Sequence, residues 1–213
     1  MQCIDTEADL SAGLARLLAI APELAPVAER AGPLPLRRSS PDPKGLLRIV
    51  TAQQVSLASA AAIFSRLETL LDPFDPETLS KTEDAELAAA GLSRPKIATV
   101  RAVSEALGDG LDLAGLADLP GEEAHSRLVS IKGIGPWSAD VFLLFCLGHP
   151  DIFPVGDLAL REAVRHAFSL NVRPDQRETR VRAEAWRPCR GIAARLFWGY
   201  YRSVTGRGSG LPA

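Results

Sequence analysis

The chain has 213 residues, 46% of them hydrophobic and 6% aromatic, which is enough apolar mass for one medium domain or two small lobes with a real core. No run of about 18 apolar residues occurs, and the start MQCIDTEADLSAG lacks the basic-then-apolar order of a signal peptide, so a membrane role is disfavoured and a cytosolic location is expected. The net charge of −2 conceals an asymmetry: residues 1–120 carry 11 Lys+Arg against 17 Asp+Glu, whereas 121–213 carry 13 against 9, so positive charge collects toward the C-terminus. That excess suits either a nucleic-acid partner or an ordinary solvated basic face.

Apolar residues recur at helical spacing from the beginning, at Leu10, Leu14, Leu17 and Leu18, then at Leu46, Leu47, Val50, Val55, Ala58, Ala62 and Ile63, and alternating strand patterns are nearly absent. An all-α chain of about eight to ten helices is expected, broken at 32–45, 71–80, 109–123 and 148–157, where Gly, Pro and Asp cluster. Gly91 is expected to end one short helix, and Ser93 with Pro95 to begin another over Lys96–Leu107. The tail from Gly206 is expected to fray. Cys3, Cys146 and Cys189 lie too far apart for a CxxC knuckle, a disulfide framework or an iron–sulfur ligand set, and His125, His149 and His166 form no HxxxH or HxH pair. Reduced structural thiols and no metalloenzyme are therefore expected.

The segment HSRLVSIKGIGPWSADVFLLFCLG carries the sharpest signal: a helix over about 121–130, a tight turn from Lys132 to Gly135, and a second helix started by Pro136. Gly133 and Gly135 let backbone amides approach a phosphate with no Cβ in the way, and the following helix N-terminus adds partial positive charge. A seat built from backbone would hold DNA of any sequence. A purely structural αα-hairpin has the same pattern, and both readings stand on these residues alone.

IKGIGPWSAD (131–140) followed by FPVGDLAL (153–160) resembles the signature of the helix-hairpin-helix DNA glycosylase superfamily. LLRIVTAQQVSLASA (46–60), GLSRPKIATVRAVSEAL (91–107) and WRPCRGIAARLFWGY (186–200) make the chain similar to its 3-methyladenine DNA glycosylase II (AlkA) branch. The resemblance covers roughly 45–205. It implies two helical lobes, about 35–145 and 1–34 with 146–205, and a cleft between them into which a damaged nucleotide is flipped from duplex DNA. It implies a monomer that removes alkylated purines and leaves an abasic site, with no cofactor in the chemical step.

By that resemblance Asp157 is the catalytic carboxylate. Its own neighbourhood, after Pro154 and Gly156 and before a helix, makes it an N-cap, where amide donors and the macrodipole favour the charged form. Trp137 and Trp198 match the aromatic pocket positions, whose electron-rich faces attract cationic alkylpurines by about 0.5–2 kcal/mol per ring; Trp186 is read as core. Val141 replaces a further pocket aromatic, which implies a more open or less selective pocket. DNA contact falls to Gln53, Gln54, Lys132, Gly133, Gly135 and Ser138, with Gln54 as the wedge that fills the gap left by the flipped base. Ser126 stands where bifunctional relatives carry a Schiff-base lysine, which implies no strand-nicking lyase activity. The carbonyls of Val129, Ile131 and Ile134 are implied ligands of a bridging Na+ or K+. The cysteines of iron–sulfur branches and the N-terminal β-domain of longer relatives are missing, so a minimal helical form is expected. Two alternatives stay open: a non-catalytic hairpin protein with a decayed pocket, and a glycosylase for deaminated or etheno bases.

Overall fold

The computed structural model describes residues 3–206. Among them there is no strand. Twelve α-helices and three short 3-10 turns follow one another: α1 Glu7–Ile20, α2 Ala25–Ala31, α3 Pro43–Ala52, α4 Leu57–Leu70, α5 Pro76–Lys81, α6 Asp84–Ala89, α7 Arg94–Gly108, α8 Gly121–Val129, α9 Pro136–Phe145, α10 Leu158–Ala167, α11 Gln176–Ala183 and α12 Arg190–Thr205. The expected all-α class is what the chain adopts. The expected eight to ten helices undercount it, because α5 and α6 span only 6 residues each, under two turns, too few for apolar periodicity to register. Caps define them instead. In the expected break at 71–80, the Asp75 carboxylate accepts the Thr78 amide at 2.7 Å and Pro76 occupies the first helical position, which starts α5. α6 starts with a reciprocal capping box between Glu83 and Glu86. No single helix among the described residues is long and apolar enough to cross a membrane.

The described residues divide into two compact units, 3–38 with 143–206, and 39–142. In the first, α12 is the central helix and packs on α2, α10 and α1. Its buried face carries Ile192, Ala193, Leu196, Phe197 and Trp198. Phe197 and Trp186 meet at 4.9 Å between ring centroids, Phe153 adds at 5.2 Å from Trp186, and Phe168 stacks at 6.5 Å, so Trp186 lies in an aromatic core. In the second unit α7 packs on α3, α5 and α6, and Leu46, Leu47, Val50, Leu79, Leu87, Val100 and Val103 fill the interior. Gly206, in the left-handed region at φ 66°, closes α12. The expected frayed tail beyond it lies outside the described residues.

Candidate functional site

The hairpin sits in the second unit. α8 ends with the amides of Ser130 and Ile131 bonded to the carbonyls of Ser126 and Leu128, and the Ile134 amide bonds back to the Ile131 carbonyl at 3.0 Å, which closes the turn. Ile131 and Ile134 bury their side chains beneath it. Gly133 has φ 91°, a left-handed conformation, and a Cβ there would stand 1.9 Å from Thr99 Oγ1 on α7. Position 135 is different, since a Cβ would meet nothing within 4 Å. The first residue therefore shapes the turn, and the second keeps its outer surface open. Pro136 then starts α9, and the Gly135 carbonyl accepts the Ala139 amide at 3.1 Å.

Lys132 is exposed beside this turn, on a cleft of about 750 Å³ that it shares with Arg94 and Arg101 but also with Asp84 and Glu105. Trp137 is half-buried in the first turn of α9, and Val141, one turn on, is fully buried. Ser138 is only 2% exposed, and its hydroxyl accepts the Gln53 side-chain amide at 2.7 Å. Its hydrogen bond thus goes to protein, and Gln53 is tied to α9 through it. Gln54 is exposed, and with φ 57° it occupies a region that non-glycine residues enter at a cost. Ser126 is exposed on α8, with its hydroxyl donating to the Glu122 carbonyl at 2.8 Å. Val129, Ile131 and Ile134 follow one another at the end of α8 and in the turn, and the Ile131 carbonyl that accepts Ile134 keeps a second lone pair.

Asp157 belongs to the first unit, where the loop after α9 runs through Pro154 and folds back so that the Asp157 amide donates to the Pro154 carbonyl at 2.9 Å. The residue caps α10. Its Oδ1 accepts the Leu160 amide at 2.9 Å and the Trp198 indole N–H at 3.2 Å, and the side chain is only 6% exposed. Two donors on one oxygen fix the rotamer of a buried carboxylate.

Trp198 is 4% exposed, with its ring 5.6 Å from that of Phe145 at 35°. The resemblance gives it an aromatic pocket position; in the structure its indole N–H donates to Asp157 and its ring lies against Phe145. Behind Phe145 stands Arg195, 5% exposed, whose guanidinium carbon is 4.5 Å from the ring centroid. Arg195 donates through Nη2 to the Leu144 carbonyl at 2.8 Å, and Arg38 donates through Nη1 to the Phe145 carbonyl at 3.1 Å, so two cations satisfy the C-terminal end of α9. Burial, and then the neighbouring Arg38 and Arg37, push the Arg195 guanidinium down to about 10, which leaves it charged at neutral pH. Its Nε and Nη1 are buried without a hydrogen-bond partner, and the aromatic face of Phe145 offers part of their compensation.

Sequence reasoning missed Arg195 and Lys96. A charge inside the apolar run GIAARLFWG, and a lysine in the first turn of α7 where the helix dipole disfavours a cation, were the available signals. Lys96 donates to the carbonyls of Thr51 and Gln53, both at 2.7 Å. Cys146 and Cys189 are buried and Cys3 is half-buried.

Comparison with known proteins places these features in a family. Residues 47–189 match the model of the HhH-GPD superfamily base excision DNA repair proteins, a span that takes in the hairpin and Asp157. The chain is 31% identical over 158 residues to DNA-3-methyladenine glycosylase 1 of Schizosaccharomyces pombe, covering 72% of this chain and 69% of that protein. Among solved structures it is similar to a DNA-3-methyladenine glycosidase from Bacillus halodurans, at TM-score 0.80 and 28% identity over 92% of each chain. It is also similar to the Schizosaccharomyces pombe 3-methyladenine DNA glycosylase Mag1 in complex with abasic DNA, at TM-score 0.67 and 27% identity over 89% of this chain and 90% of that one. This chain belongs to the HhH-GPD superfamily of base excision DNA repair proteins, as a DNA glycosylase.

Proposed function

We propose that the protein hydrolyses the N-glycosidic bond of alkylated purines, of the 3-methyladenine and 7-methylguanine kind, in double-stranded DNA and leaves an abasic site. The observation that carries the reading is Asp157, a buried carboxylate held in one orientation by the Leu160 amide and the Trp198 indole. A carboxylate so fixed offers negative charge where the sugar turns oxocarbenium-like as the C1′–N bond breaks. Water adds to C1′ and gives up a proton to the Asp157 carboxylate, and the base departs with the bonding electron pair. Alkylation at N3 or N7 places positive charge on the base, so the bond is already weakened and the departing base is neutral. Trp137, half-buried at the start of α9, supplies an aromatic surface for a cationic ring.

Phosphate contact falls to the Gly133–Gly135 turn, the N-terminus of α9 and Lys132, with Gln54 as the wedge. A monovalent cation held by the carbonyls of Val129, Ile131 and Ile134 would add positive charge toward a phosphate; hard oxygen donors suit such an ion. Support for a monofunctional enzyme comes from position 126, where a serine stands in place of an amine nucleophile. Similarity to 3-methyladenine glycosylases supports the lesion class. The non-catalytic alternative rests on valine standing in place of a pocket aromatic at position 141; that side chain is fully buried, and no observation favours the alternative.

The test is incubation of the monomeric protein with duplexes that each carry one lesion, alkylated, deaminated or etheno, followed by chromatography of released bases and borohydride trapping. Free methylated purine without a trapped adduct is expected. Absence of any released base, or a covalent adduct, contradicts the proposal.

A further inference from the structure

We propose that Lys96 is the positioning residue of the Gln53–Gln54 turn, and that through Lys96 and Thr99 the helix α7 holds the duplex wedge and the hairpin turn in one fixed relation. The inference rests on the wedge reading of Gln54 given above.

Lys96 Nζ donates to the carbonyls of Thr51 and Gln53, both at 2.7 Å. These acceptors lie where α3 ends and its last carbonyls lack intrahelical partners. The position is not one a lysine takes for its own sake. It stands in the first turn of α7, at the positive end of that helix, and partial burial lowers the tendency of its amine to stay charged. What offsets both penalties is the pair of carbonyls.

Gln53 is held a second time, by its side-chain amide on the buried Ser138 hydroxyl at 2.7 Å. With its predecessor fixed through backbone and side chain, Gln54 is left exposed in the left-handed region at φ 57°. Non-glycine residues keep such a conformation when their surroundings impose it. One turn along α7 from Lys96, Thr99 Oγ1 presses on the hairpin where a Cβ of residue 133 would be. α7 thus braces both turns.

A wedge must enter the base stack without first being ordered, because ordering on binding subtracts from the free energy available for unstacking. Loss of the Lys96 tether is therefore expected to slow nucleotide flipping and leave the phosphate grip intact.

The experiment compares Lys96→Met, Lys96→Arg, Gln54→Ala and the Lys96→Met/Gln54→Ala double variant. It reads the fluorescence rise of 2-aminopurine placed next to an alkylated base, the single-turnover rate of base release, affinity for undamaged duplex, and thermal unfolding. Lys96→Met is expected to lower both the fluorescence rise and the release rate about tenfold or more, with affinity for undamaged duplex within about twofold of wild type. Lys96→Arg should recover part of the loss, since a guanidinium also reaches two carbonyls. In the Gln54→Ala background, Lys96→Met should add nothing, an outcome general destabilisation would not give. Wild-type fluorescence in Lys96→Met, or additive losses in the double variant, overturns the proposal. Unchanged flipping in Gln54→Ala alone overturns the wedge reading beneath it.

Discussion

Replacing Trp198 by Phe removes one atom group of interest, the indole N–H that donates to Asp157 Oδ1 at 3.2 Å, while a benzene ring remains to face Phe145. The Leu160 amide at 2.9 Å still holds the same oxygen, so the carboxylate keeps one of its two tethers on Oδ1. A hydrogen bond to a charged group is worth about 1.5–3 kcal/mol. If that contribution fixes the carboxylate for the transition state, kcat falls by about 10- to 150-fold, given about 1.4 kcal/mol per tenfold. The same change leaves a small void beside a core that contains Trp198 at 4% exposure. The void adds about 1 kcal/mol, so the combined loss of stability is about 2.5–4 kcal/mol, and the melting temperature drops by about 2–4 °C per kcal/mol in a chain of this size. Single-turnover base release at saturating enzyme reads kcat free of binding, and calorimetry reads the stability change. A variant that melts as expected but releases base at the wild-type rate refutes the claim that the indole orients Asp157. A loss confined to affinity for damaged DNA places Trp198 on the ligand instead.

Gly133→Ala forces a Cβ to within 1.9 Å of Thr99 Oγ1 at φ 91°, so calorimetry should show a substantial fall in melting temperature. Gly135→Ala has open space around it and should melt close to wild type while binding duplex less tightly, because its new methyl group covers the surface offered to phosphate. If Lys132 meets a phosphate, Lys132→Ala reduces the salt dependence of DNA affinity by about one unit in a log–log plot, and an unchanged slope removes Lys132 from the interface. His149, half-buried with Nδ1 accepting the Asp151 amide at 3.1 Å, is held below its ordinary 6.5 chiefly by burial, opposed by Asp151 and assisted by Arg190. Below about pH 6.5 the unfolded chain takes up a proton that the folded one resists, so this group's stability is full above that pH and is lost as the pH falls. His149→Asn, whose amide oxygen can replace the acceptor, should therefore flatten the decline in melting temperature between pH 7 and 5, and an unchanged decline contradicts the assignment.

The local features of the site were readable in the sequence because their physics is local. Two glycines, Pro136 and flanking apolar periodicity marked a turn between helices, and the observed α8 and α9 end and begin at Val129 and Pro136. Likewise Pro154, Gly156 and the following helix marked Asp157 as an N-cap, and its carboxylate accepts the Leu160 amide. What was not readable are the partners brought by folding. Trp198 lies 41 residues from Asp157, and Ser138 lies 85 residues from Gln53, and no periodicity encodes which side chains such separations bring within 3.2 Å or less. Trp198 was expected in the aromatic pocket and Ser138 at the DNA; the partners their polar groups take within the fold are Asp157 and Gln53. Lys96 and Arg195 were overlooked because a cation looks like surface until its carbonyl and aromatic partners are in place.

Asp157→Asn isolates the carboxylate on which base release depends. Asparagine caps a helix as well as aspartate does, so the fold and the grip on duplex should persist. With the variant and the wild type side by side on methylated DNA, at equal occupancy set by measured affinity, the predicted result is wild-type binding with base release reduced by several orders of magnitude. Base release at the wild-type rate from a fully bound variant would contradict it.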